Sequence, residues 1–222
     1  MKVKRIPSIL MAASLVASLT VQSEESDKVY AVTVTNLTRG QNFTPILAAS
    51  HRPLDHPFFN AGEPASEALA SLAEGGDTGP LDNLLRGNPR VHQTLTTQGL
   101  LAPGESVTFP LKVRSRHDRI SLAAMLIPTN DAFLAFQNLP LPRGHRRVVE
   151  YGPAYDAGAE PNDELCANIP GPDCGGEGGS PGAGGEGFVH IHAGIHGIGD
   201  LSPAEYDWRN PVVRVVIKRV ED

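Results

Sequence analysis

Alternation of apolar and polar positions marks most of this chain as strand. Tyr30 to Leu37 sets β-branched residues against polar ones, the pattern of a half-buried strand whose successive side chains face opposite ways. Asn36 to Gly40 supplies the turn residues that end it. Pro45 to Ser50 is a second run, short and fully apolar. Helical spacing takes over at Ala65, Ala68, Leu69 and Leu72, behind Pro64 and ahead of Gly75 and Gly76, and predicts a short amphipathic helix. Pro80 to Leu85 predicts one or two further helical turns. Strands resume at Gln93–Gln98 and Glu105–Val113 around the turn sequence Ala102-Pro103-Gly104. Ile120 to Ile127 is the most apolar strand and is expected at the centre of a sheet. Arg147–Tyr151, Phe188–His192 and Val212–Val220 complete the set, with His145, Arg146 and Arg147 as a solvated strand start. Many short strands with few helices predict an all-β fold: an antiparallel β-sandwich with one or two short helices inserted after the second strand. Nothing repeats internally.

Two stretches break the pattern. Lys2, Lys4 and Arg5 precede an apolar run from Ile6 to Leu19, and Val21-Gln22-Ser23 offers small-residue spacing for cleavage, so residues 1–23 read as a secretory signal peptide. The run is shorter than the roughly 20 apolar residues of a membrane span, and no other stretch is long enough. The mature domain is then 24–222. Gly175 to Gly187 is nearly all glycine and is expected to be a flexible surface insertion.

The leader carries three of the 19 basic residues and none of the 25 acidic ones, so its removal takes the net charge from −6 to −9. An acidic chain without clustered Lys and Arg is a poor match for nucleic acid. Export points to a secreted or periplasmic location, where Cys166 and Cys174 read as a disulfide, with free thiols or half of a metal site as the alternatives.

Candidate chemistry lies in two places. Asp156, Glu160, Asp163 and Glu164 put four carboxylates into nine residues, which makes the stretch either a solvated turn or a site for a hard cation such as Ca2+, a taker of six to eight oxygens. His190 and His192 share one face of a strand, and His196 follows; together they could hold zinc or copper. Otherwise the strand histidines lie on a solvated face or bond to Asp200 and Glu205. No serine elbow and no phosphate-binding glycine loop occur. Trp208 is expected to anchor the last strand by packing.

Five stretches together resemble one known family. They are Phe43 to His51; Ala65 to Leu69 with Leu72-Ala73-Glu74 and Gly76-Asp77-Thr78; Met125 to Asp131; Tyr155 to Gly158; and Asn210 to Ile217. In this order they are similar to the spondin N-terminal domain, named after the extracellular matrix protein F-spondin, in a bacterial-type secreted form. The resemblance implies a C2-like β-sandwich with calcium held by acidic loops at one end, and it places the calcium ligands on Asp131, Asp156 and Glu160, which leaves Asp163 and Glu164 expected to face solvent. Two positions depart from the family pattern: Ala132 separates Asp131 from the aromatic Phe133, and Glu160 stands where Asp is usual. The expected function is a secreted calcium-binding module that attaches to an extracellular protein or glycan. The alternative is a zinc or copper protein or enzyme built on His190, His192 and His196.

Overall fold

The structure is a computed structural model that describes residues 27–179 and 184–220; the expected leader and residues 180–183 of the glycine tract lie outside it. Two antiparallel sheets face one another. The first has four strands in the order β5 (Ser106–Val113), β1 (Lys28–Asn36), β11 (Val213–Arg219) and β8 (Arg147–Gly152). The second runs β10 (His190–Ile191), β9 (Ala154–Asp156), β7 (Ala132–Pro140), β6 (Arg119–Ile127), β3 (Leu47–His51) and β4 (Val91–Thr96). A two-residue strand, β2 (Asn42–Phe43), adds to β6. The fold is the expected antiparallel β-sandwich.

Strand β1 shows why the alternation was readable. Tyr30, Val32 and Val34 point inward, and Thr33 and Thr35 point outward, where their hydroxyls meet Thr108 and Ser106 at 2.8 Å. The second sheet behaves differently because both its faces are covered. Ala48, Ile120, Leu122, Ala124 and Leu134 face the first sheet. Their neighbours Leu47, Ala49, Ala123, Phe133 and Ala135 pack under helices α1 (Glu67–Gly75) and α2 (Gly79–Arg86), against Leu69, Leu72, Leu81 and Leu85. A strand buried on both faces needs no polar positions, so β3 and β6 are apolar almost throughout. Helix α1 begins where the Ser66 hydroxyl accepts the Leu69 N–H at 3.2 Å, and it ends at Gly76. A short third helix, α3 (Pro203–Tyr206), precedes Trp208, which is buried in the inter-sheet core as expected of a packing anchor.

Strand β7 was not predicted. Its Ala-Phe-Leu-Ala-Phe run has no alternation because each side chain is buried on one face or the other. It forms a hairpin with β6 and then pairs with the equally unpredicted β9, with Ala132 opposite Asp156. That register carries the candidate site. The expected Phe188–His192 strand is paired only at His190–Ile191, opposite Tyr155 and Asp156.

The far end of the β6–β7 hairpin is closed by a buried polar cluster. His51 Nδ1 donates to the Arg52 carbonyl at 2.7 Å, and His51 Nε2 accepts from the Ser121 hydroxyl at 2.7 Å. Ser121 Oγ in turn accepts the Asn138 N–H at 2.9 Å, where the pairing of β6 with β7 slips register. His51 and Ser121 are both wholly buried.

Candidate functional site

The near end of the hairpin is the turn that carries Asp131. Thr129 accepts the Ala132 N–H at 3.1 Å and donates to the Leu126 carbonyl at 2.5 Å, which holds the turn tight. Asn130 ties the same turn to the acidic loop: its side-chain Oδ1 accepts the Glu164 N–H at 3.2 Å, and its side-chain Nδ2 donates to Asp163 at 3.0 Å. Asp131 Oδ2 accepts the backbone N–H groups of Ala159 and Glu160, at 2.8 and 3.1 Å. The loop from Asp156 to Glu160 is therefore wrapped on the Asp131 carboxylate.

Asp131, Asp156 and Glu160 lie together in the structure, but they are not solvated. Asp131 and Asp156 are 0% exposed and Glu160 is 1% exposed. Asp156 Oδ1 accepts the Gly158 N–H at 2.7 Å, and its Oδ2 accepts the Asn162 amide at 2.7 Å. Asp131 Oδ1 is buried without a hydrogen-bond partner among the described residues. Burial, then the neighbouring charges of Asp156 and Glu160, push the Asp131 carboxyl up to about 8. Burial raises Asp156 as well. Two carboxyls so placed resist ionising together unless a positive charge joins them.

Gly158 makes the tight loop practicable. Its φ is +65°, and a Cβ there would collide with the backbone of Phe188. Its carbonyl accepts the Gly187 N–H at 2.9 Å. Gly185 also lies backbone to backbone on Gly158 and Glu160, too close for any side chain. Residues 185–187 of the glycine tract thus pack on the acidic loop, and the glycines there serve that close approach.

Glu164 corrects the sequence reading, which placed it and Asp163 in solvent. Glu164 is 2% exposed, and its carboxylate accepts the N–H groups of His196, Gly197 and Ile198 at 2.5, 2.6 and 3.0 Å. Three aligned amides satisfy a carboxylate that water does not reach. Asp163 is half-buried and accepts the Asn130 and Asn168 amides and the Leu165 N–H. Beyond it, Cys166 and Cys174 form the expected disulfide.

The histidines separate. His190 Nδ1 lies 4.0 Å from Asp156 Oδ1, and His192 Nε2 lies 3.8 Å from Asp156 Oδ2. The His196 side chain is 58% exposed and faces Glu164 at 4.0 Å. His192 is buried against Trp208, with ring centroids 5.0 Å apart, and burial followed by the charges of His190 and His196 drives its pKa down to about 4. Neither Asp200 nor Glu205 takes the suggested histidine bonds; Asp200 instead accepts the Cys166 N–H at 2.9 Å.

Two carboxylates were missed. Glu186, inside the glycine tract, has an oxygen within 4.8 Å of ligand atoms of both Asp156 and His190. Glu74, at the end of α1, has its carboxyl raised by burial and then by the charge of Glu160. No signal in the sequence joins either to Asp156 or Glu160, because each arrives from a remote element.

The family model described as Spondin_N matches residues 18–160. The chain belongs to the Spondin_N family. The matched span contains Asp131, Asp156 and Glu160 and stops short of Glu186 and the histidine segment. A search of the curated proteins finds no match. Among the described residues, no helix is long and apolar enough to cross a membrane.

Proposed function

We propose that this Spondin_N protein is an extracytoplasmic calcium-binding module that attaches to an extracellular protein or glycan. The observation that supports the calcium reading is Asp131: wholly buried, one oxygen without a hydrogen-bond partner, and wrapped by the loop that brings Asp156 and Glu160 beside it. The donor set is all oxygen, which suits a hard dication. Bound calcium would supply the positive charge that lets the buried carboxylates ionise together. Asp131 would offer Oδ1, its Oδ2 being engaged by the two amides, and the backbone bonds from the loop would hold the Asp131 and Asp156 carboxylates in place before the ion arrives.

Attachment, and not catalysis, is the reading assigned to the domain. The disulfide and the family favour a compartment outside the cytoplasm. Binding to a matrix or cell-surface component follows from the family alone. Two measurements test these claims. Calcium should raise the melting temperature of the mature protein and chelator should reverse it; an unchanged curve in saturating calcium sinks the site. Affinity capture from native envelope or culture medium, with and without chelator, tests attachment, and recovery of no specific partner in either condition argues against it.

A further inference from the structure

We propose that Asp156, Glu186 and His190 form a second metal site, distinct from the calcium site, that takes a transition-metal dication of the zinc type. Their ligand atoms all lie within 4.8 Å of one another. His190 Nδ1 and Asp156 Oδ1 are 4.0 Å apart, too far for a hydrogen bond. Two ligands of one tetrahedral cation, each about 2.0–2.2 Å from it, lie about 3.3–3.6 Å apart, so the side chains would close by about half an ångström around the ion. His190 Nδ1 is buried and has no hydrogen-bond partner among the described residues.

His192 supplies an independent observation. Its side chain is 2% exposed, and its Nδ1 accepts the Gly194 N–H at 2.9 Å, so the proton of the neutral ring sits on Nε2. That Nε2 has no hydrogen-bond partner among the described residues and lies 3.8 Å from Asp156 Oδ2. A small shift of the Asp156 carboxylate on taking up a metal would bring this buried N–H within reach of its second oxygen, the kind of outer support that orients metal ligands. Asn162 adds another: its amide donates to Asp156 at 2.7 Å and to Glu186 at 3.4 Å, bracing the two carboxylates at one spacing.

The donor set identifies the metal class. Calcium coordinates oxygen, whereas imidazole suits zinc, copper, iron and nickel. Two carboxylates and a neutral imidazole balance the charge of a dication. Glu186 is exposed, so the site opens to solvent on that side and has room for water ligands. Asp131 and Glu160 play no part in it, and the two sites meet only at Asp156. This site does not depend on the calcium reading.

The test uses the metal-stripped mature protein, titrated with zinc alone by calorimetry and with cobalt(II) by absorption. One zinc should bind, and cobalt should give the d–d bands of a site with a nitrogen ligand. His190→Ala and Glu186→Gln, both at positions that reach solvent, should each weaken zinc by at least about 10-fold while leaving any calcium-induced rise in melting temperature intact. Asp131→Asn should do the reverse. Absence of zinc binding to the wild type overturns the proposal, as does zinc binding that survives both His190→Ala and Glu186→Gln. Zinc lost with Asp131→Asn but kept in His190→Ala places it in the calcium pocket and also overturns the proposal. If calcium leaves the melting curve unchanged while zinc binds and is lost with His190→Ala, the calcium reading falls and this one stands.

Discussion

The two ends of the β6–β7 hairpin both bury polar side chains, in opposite conditions. At the far end, both ring nitrogens of His51 have partners, and Ser121 serves His51 and the Asn138 amide at once. At the near end, Asp131 Oδ1, His190 Nδ1 and His192 Nε2 lack hydrogen bonds among the described residues, and the carboxyls of Asp131 and Asp156 are driven up. A buried polar network that is complete rigidifies the fold, while an incomplete one is costly unless something else completes it. The far end is thus complete within the protein, and the near end is not.

The largest effect that could break this contrast is at the closed end. His51→Ala removes a packed ring and strands the Ser121 hydroxyl, and should cost about 3 kcal/mol in denaturant unfolding without altering the calcium response. A loss of calcium response there would mean that the two ends are one cooperative unit. Next is calcium itself. At about 100 times its dissociation constant it should stabilise the protein by about 2.7 kcal/mol, or roughly 5–10 °C for a domain of this size. Asp131→Asn should abolish that gain and, in chelator at pH 8, melt no lower than the wild type, since it replaces a buried acid by a neutral amide. A large loss of stability in chelator would instead make Asp131 a structural residue like His51.

Reduction of Cys166–Cys174 should cost about 2.5 kcal/mol on the chain-entropy estimate. The bridge follows directly on Asp163 and Glu164, which bind the hairpin turn and the 196–198 segment, so reduction should also diminish the calcium gain. An undiminished gain would show that the open end is held by the Asp131 amide bonds alone.

The two ends should also titrate in opposite directions. Burial, the largest influence on His51, lowers its pKa below 6.5 in the folded protein, so its contribution is complete above that value and is lost as pH falls. Asp131 is raised from 3.8 to about 8, so without calcium its contribution is complete below pH 4 and is lost as pH rises towards 8. Each proton accounts for at most about 1.4 kcal/mol per pH unit. Melting curves in chelator should therefore decline at both extremes, and the calcium gain should be larger at pH 8 than at pH 5. A calcium gain that does not vary with pH would break the link between the carboxyl shifts and the ion. The smallest effect is Ser121→Ala, which leaves His51 Nε2 and the Asn138 amide without their shared hydroxyl and should cost about 1–2 kcal/mol.

Much of the framework was legible because it follows from local periodicity. Strand β1 alternates, α1 shows helical spacing ahead of Gly75 and Gly76, and the largely apolar β6 announces a central position. Strand β7 was missed since helices cover its second face and erase the alternation that would have marked it. Asp156 and Glu160 were legible as closely spaced charges, and Asp131 through the family resemblance. Their burial was not, because the cover over them comes from turns and from the glycine tract, whose side chains say nothing of where its backbone lies. The same reason hid Glu186, and it sent Glu164 to solvent in the reading when three amides from 196–198 enclose it.

The sequence by itself determined the class of fold, the strands and helices whose faces differ, the disulfide and the residue types available for coordination. These depend on side-chain character at short separations, which neighbouring residues dictate. Only the tertiary structure decided which acids and imidazoles share a site. The β7–β9–β10 register puts His190 across from Asp156 and Asp156 across from Ala132, next to Asp131, from three separate parts of the chain. The acidic loop then sits out of water because long-range strand pairing and close backbone contact at Gly158 and Gly185 put it there, a result that no local pattern encodes.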